Sequence, residues 1–192
     1  MRYSRTLVAI TGLVFLLMAG TALAAMKYNH TAPGRPSDPE IEDAVRAALV
    51  EKDRTKAPLI NVYSFLGHVY MVGEPDPAYG LFAEKTAHYV EATHFVTGHW
   101  FPAHTADPQI DPALKAAVVS SLKPIMHTPN RVAVEVWGSN VVVLGIVQTP
   151  EEVAQGGKLA QGVHGVKTLR NYLMTNEQAL QAIGNPSDLY HK

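Results

Sequence analysis

The chain has 192 residues, 47% of them hydrophobic, and its 16 Lys+Arg against 17 Asp+Glu give a formal charge of −1. That balance argues against a nucleic-acid binder and offers no polybasic route to a membrane. The absence of cysteine removes disulfides, thiolate chemistry and N-terminal lipidation together.

At the start, Arg2 and Arg5 precede an uncharged stretch from Thr6 to Gly20, and Ala22-Leu23-Ala24 is an A-x-A cleavage site. Residues 1–24 therefore read as a secretory signal peptide cut after Ala24. The stretch is shorter than the ~20 apolar residues of a comfortable transmembrane helix, so retention as an anchor is the lesser alternative, and no other segment is long enough to span. Cleavage would leave 14 basic against 17 acidic residues, a charge of −3. Residues 25–38, rich in Pro, Gly and polar types, read as a flexible leader.

The first folded unit is read over 39–101. Ser37 with Glu40 three residues later forms a capping box, Pro39 sits in the opening turn, and Ile41, Val45 and Ala48/Leu49 make one apolar stripe, which predicts an amphipathic helix. Leu59 to Phe65 and Val69 to Gly73 are β-rich runs around Leu66-Gly67-His68, a hairpin. Asp76-Pro77 opens a second helix with a small-residue face of Ala83, Ala87 and Val90, and Thr93 to Phe101 is the last strand.

Residues 102–111 read as a linker, after which the same order returns over 112–174. Ile41 falls on Leu114, Phe65 on Trp137, Gly73 on Gly145, Ala87 on Ala160 and Val96 on Leu169, at offsets of 72 or 73. Internal duplication predicts two lobes of one architecture. Here Val132, Val134 and Val136 alternate with Ala133, Glu135 and Trp137, Gly138-Ser139-Asn140 supplies the turn, Thr149 to Glu152 caps a helix, and Val166 to Leu173 ends the unit. Units this small bury only about 60% of their unfolded surface, so the lobes are expected to lean on each other. The unbroken run Val141-Val142-Val143-Leu144 predicts burial on both sheet faces. A side chain at Gly73 or Gly145 is expected to meet the second helix or force a bulge. Residues 175–192 read as a short helix before Gly184 followed by a fraying tail.

The hairpin phrase Val134-Glu135-Val136-Trp137-Gly138-Ser139-Asn140-Val141-Val142-Val143-Leu144-Gly145 and the ending Gly162-Val163-His164-Gly165-Val166-Lys167-Thr168-Leu169-Arg170-Asn171 resemble the BON domain, the bacterial OsmY and nodulation module. The first copy is degenerate, with Ala92-Thr93 where the family usually writes Gly-Val. The resemblance implies an α+β fold of two tandem αββαβ lobes, each a small mixed three-stranded sheet with two helices on one face, anchored by the structural glycines Gly73, Gly145 and Gly165. It also implies an exported, periplasmic, non-enzymatic envelope protein without a cofactor. Similar double-BON proteins include lipid-anchored ones that bind anionic phospholipid through the first helix of the second copy, and soluble ones induced by osmotic stress. Carried onto this chain, that helix is Pro112 to Lys123. Its outward residues Lys115, Val119 and Lys123 are the candidate lipid contacts.

No nucleophile elbow, phosphate loop, dinucleotide fingerprint or H-E-x-x-H is present, so no catalytic residue is assigned. His88, His94, His99 and His104 lie close in sequence, but no pair has the i, i+4 helical or i, i+2 strand spacing that would converge two rings, and no metal site is assigned. Phe95, His99 and Phe101 share one strand face. They are expected to form the lobe interface or, left uncovered, to dock a partner. Two functions follow: an envelope protein that binds phospholipid or protects under stress, and an adaptor docking on an envelope assembly through that aromatic face.

Overall fold

A computed structural model describes residues 36–184; the expected signal peptide (1–24), the leader up to residue 35 and the tail (185–192) lie outside the described residues. The elements run α1 (Asp38–Lys52), β1 (Ile60–Phe65), β2 (His68–Gly73), α2 (Pro77–His88), β3 (Phe95–Trp100), then α3 (Asp111–Ser121), β4 (Arg131–Trp137), β5 (Asn140–Val147), α4 (Pro150–Gln161), β6 (Thr168–Thr175) and α5 (Asn176–Gly184). Short 3₁₀ turns at Ala57–Leu59 and Lys123–Ile125 lead into β1 and follow α3. The fold is thus α+β with two three-stranded mixed sheets, of order β1-β2-β3 and β4-β5-β6.

Local sequence explains where the elements start. Glu40 accepts hydrogen bonds from the backbone N–H and the hydroxyl of Ser37, both at 2.7 Å, and the Asp76 carboxylate accepts from Tyr79 N at 3.0 Å. At α4, Thr149 Oγ1 accepts from Glu152 N while Glu152 Oε2 accepts from Thr149 N, a reciprocal box. Each hairpin turns through two residues with positive φ, Leu66 (56°) and Gly67 (74°), then Gly138 (58°) and Ser139 (70°), as a type I′ turn requires. These turns are one residue shorter than the sequence suggests, because His68 and Asn140 already pair as strand residues with Phe65 and Trp137. The final strands likewise begin two residues later than expected, at Phe95 and Thr168, so His94 precedes β3.

In each sheet the hairpin is antiparallel and the last strand joins the central one in parallel, a pairing that needs a helical crossover. α1 and α2 cover one face of the first sheet around Ile41, Val45, Leu49, Val69, Met71 and Ala83. In the second lobe, α3 and α4 do the same around Leu114, Val118, Leu122, Val141, Val143 and Ala160. The alternate strand residues form a third core, with Phe65, Tyr70 and Val72 from the first sheet against Val142, Leu144 and Ile146 from the second. Two sheets therefore pack face to face with helices outside, and the Val141–Leu144 run is buried on both sides as its lack of alternation predicts.

Residues at equivalent positions of the repeat touch across this junction. Tyr63 hydrogen-bonds Glu135, 72 residues on, and His99 Nδ1 lies 3.2 Å from the hydroxyl of Tyr172, 73 residues on. Because the same face of each lobe is turned inward, a simple translation is excluded. Counterpart meeting counterpart in this way is the pseudo-twofold arrangement of an isologous dimer joined into one chain.

Gly73 and Gly145 do need to be glycine, for a reason other than the one expected. A Cβ at Gly73 would collide with the carbonyl oxygen of Leu59, and at Gly145 with that of Arg131, so the obstacle is the backbone leading into the antiparallel strand and not the second helix. Gly145 also has φ +143°, while at Gly165 a Cβ would make only an ordinary van der Waals contact with Leu114 Cδ1 at 3.5 Å, and the φ of +98° sets the requirement. Gly145→Val combines overpacking with backbone strain and is expected to lower stability by roughly 2–5 kcal/mol, read by denaturant unfolding. A midpoint equal to that of the parent would remove the close approach from the account.

Candidate functional site

Two carboxylates at equivalent positions hold each first helix to its hairpin. Asp38 Oδ1 accepts from Ser64 Oγ (2.7 Å) and Gly67 N (2.9 Å), and its Oδ2 accepts from Leu66 N (3.0 Å). Asp111 Oδ2 accepts from Gly138 N (2.8 Å) and Asp107 N (2.7 Å), and its Oδ1 accepts from Ser139 N (3.0 Å). Both are buried at the opening of α1 and α3, where the helix dipole also favours a negative charge. They fall in the stretches read from sequence as leader and linker. The signal that marks them is an Asp-Pro pair, 38–39 and 111–112, repeated at the offset of 73.

The lobe junction brings polar and aromatic side chains of both halves together. Glu135, only 5% exposed, accepts from the Tyr63 hydroxyl of the first lobe and from Lys115 Nζ at 3.1 Å. Burial first, then the bond to Glu135, pushes the Tyr63 hydroxyl above the ordinary tyrosine range. Arg131 of the second lobe pairs with Asp38 Oδ2 of the first at 2.7 Å and lies over the Phe65 ring at 5.4 Å. Elsewhere in the junction Tyr172 meets Tyr70 (centroids 5.6 Å apart) and His99 (5.9 Å), and Phe101 stacks on Trp137 at 6.1 Å.

This arrangement revises the two candidate surfaces. Of the three outward residues assigned to lipid, Lys115 is committed to Glu135, Val119 is partly buried against the second lobe's core, and Lys123 is exposed in the 3₁₀ turn after α3. Of the aromatic face assigned to a partner, His99 and Phe101 meet the second lobe, and Phe95 lies against His68 with ring centroids 5.5 Å apart. The face is therefore largely occupied by the chain's own second half. The histidines are dispersed, with His88 ending α2 and His104 in the linker. Among the described residues no group of three or more His, Asp or Glu is placed to hold a metal ion.

A BON domain is found at residues 106–176, a span that includes Asp111, the second hairpin, α4 and β6. No curated protein matches the chain. Among solved structures, CdsD, a structural protein of the type III secretion system of Chlamydia trachomatis, is similar at 11% identity and a TM-score of 0.30, covering 78% of this chain and 69% of that one. The CdsD C-terminal domain is similar at 12% identity and a TM-score of 0.29, covering 72% of this chain and 67% of that one.

Burial opposes the charge on Asp38, but the hydrogen bonds from Gly67, Ser64, Leu66 and Arg131 outweigh it and hold the carboxyl below its ordinary value. A carboxyl lowered on folding contributes stability above its unfolded value, near 3.8, and that contribution is lost as pH falls through the lower folded value. Asp38→Asn should therefore cost about 1.5–3 kcal/mol at pH 7, the range for hydrogen bonds to a charged group. The gap to the parent should narrow below pH 3.8, measured by urea unfolding across pH. A gap that stays constant down to pH 2 would show that the charge is not what braces the turn.

Proposed function

We propose that the chain is a non-enzymatic, exported binding module of the bacterial envelope, and that its second lobe contacts anionic phospholipid. The BON domain at 106–176 supports the coarse reading of an envelope-associated protein without catalysis. The observation that carries the finer one is a charge asymmetry hidden in the near-neutral total. Residues 39–101 hold five Lys+Arg and nine Asp+Glu, a charge of −4, whereas 112–174 hold six and three, a charge of +3.

In that second lobe, Lys115 and Arg131 are spent on Glu135 and Asp38. Lys123, Lys158, Lys167 and Arg170 are exposed and form no ion pair among the described residues. Lys123 and Lys158 belong to the outer, helical layer, Lys158 on α4. Each such residue near an anionic surface contributes about 1 kcal/mol, so four make a weak, reversible association. Among the described residues no helix is long and apolar enough to cross a membrane, and the contact proposed is peripheral. The adaptor reading has less support, because the second lobe takes up His99 and Phe101.

Flotation of the exported chain with phosphatidylcholine vesicles, with and without phosphatidylglycerol, tests this reading. Binding is expected only to the anionic vesicles and should vanish at 1 M salt, where screening shortens to about 3 Å. Lys123→Glu/Lys158→Glu should weaken it by roughly tenfold or more, at about 1 kcal/mol for each charge removed. Lys115→Glu should instead lower thermal stability, because it sets a second negative charge against the buried Glu135. Equal flotation with neutral vesicles, or flotation unchanged in high salt, would refute the basic-surface mechanism.

A further inference from the structure

We infer that the junction between the lobes is an acid-sensitive latch, in which protonation of His68 and His99 parts the two sheets while each lobe stays folded. His68 opens β2 and its ring stacks on Tyr70 with centroids 4.3 Å apart, its Nε2 2.9 Å from Thr97 Oγ1 and its Nδ1 3.5 Å from the Tyr70 hydroxyl. It thereby positions the Tyr70 ring, which reaches across to Tyr172 and to Met174 Sδ at 4.0 Å. His99, on β3, makes the cross-lobe contact itself, through Nδ1 to the Tyr172 hydroxyl at 3.2 Å. The two imidazoles support, from one sheet, the aromatic contacts that the other sheet completes.

Among the described residues neither ring is given an acidic partner in the closed state. The groups facing them are the Tyr70 hydroxyl from β2, Thr97 from β3, and Tyr172 with the positive Arg170 from β6. Glu135, on β4, is engaged by Tyr63 and Lys115, and the sole charged residue of α5, Glu177, is exposed. A proton added to His68 would thus sit in a partly desolvated aromatic setting, and one added to His99 would in addition sit near the positive Arg170, which disfavours both. Burial alone pushes His68 from 6.5 down to about 4, and burial together with Arg170 lowers His99.

For a histidine lowered on closure, the open state binds the proton more readily. The contribution of His68 to the closed state is complete above about pH 6.5 and is lost as pH falls toward about 4, and that of His99 is lost in the same direction as pH falls below 6.5. The Arg131–Asp38 contact across the junction rests on a carboxyl held below its ordinary value of 3.8 by its hydrogen bonds, so falling pH reaches the histidines before it.

The native chain has no cysteine, so one can be placed on each outer helical layer, Leu81→Cys on α2 and Gln155→Cys on α4, and labelled with a donor and an acceptor dye. Energy transfer is expected to fall between pH 6.5 and 4 with the far-UV circular dichroism unchanged. His99→Gln and His68→Gln should each move the midpoint to lower pH, and the pair together should flatten the response across that range. If the double variant is already open at pH 7.5, the midpoints of the single variants decide the matter. Transfer that stays constant down to pH 4, a midpoint indifferent to both substitutions, or loss of the far-UV signal in step with transfer would each overturn the latch.

Discussion

A three-stranded sheet with both of its helices on one side leaves its other side bare, and in strands rich in Val, Tyr and Phe that side is apolar. Everything else in this molecule depends on covering it. Each large side chain in the central layer, such as Tyr70, Val142, Leu144 or Ile146, contributes about 1.5–3 kcal/mol when removed from water, and α5 adds only Ala179 to this layer. The second copy of the unit supplies the cover. A pseudo-twofold arrangement lets one solution of the packing problem serve both lobes, so the duplication in the sequence and the double-layered sheet in the structure are one fact seen twice.

Within each lobe the corresponding constraint is the hairpin turn. Leu66 and Ser139 adopt positive φ, which is uncommon for residues with a side chain. Asp38 and Asp111 accept hydrogen bonds from the turn N–H groups and so hold this geometry, tying the first helix to a turn 28 residues away in the chain. Arg131 then links the first of these braces to the second lobe. Turn, helix and junction are mechanically continuous on that side of the molecule.

Much of the architecture was legible because it is written in side-chain size and spacing. Alternating valines, small-residue helix faces and the 72–73 offset depend only on a residue's own element and on its repeat partner. The roles of Glu135, Lys115 and Asp38 were not legible, because each depends on what another element brings to the far side. Glu135 reads as an outward residue in a Val-x-Val-x-Val strand, and outward is where the helices place it, but the other sheet lies there. Lys115 reads as a free surface cation for the same reason. Phe101 and His99 were open between two readings, since strand alternation states which face a ring shares and not whether a second lobe covers it.

The pseudo-twofold axis has a corollary for the company each half can keep. On such an axis every position meets its own counterpart, so two second lobes brought together would set Glu135 against Glu135, like charges in a desolvated layer. In this chain Glu135 instead meets the neutral phenol of Tyr63, and Tyr172 meets His99. Divergence between the copies at these two axial positions turns a self-complementary surface into one that recognises its opposite. Pairing of one second lobe with another is thereby disfavoured, and the surface of each second lobe is matched to a first lobe.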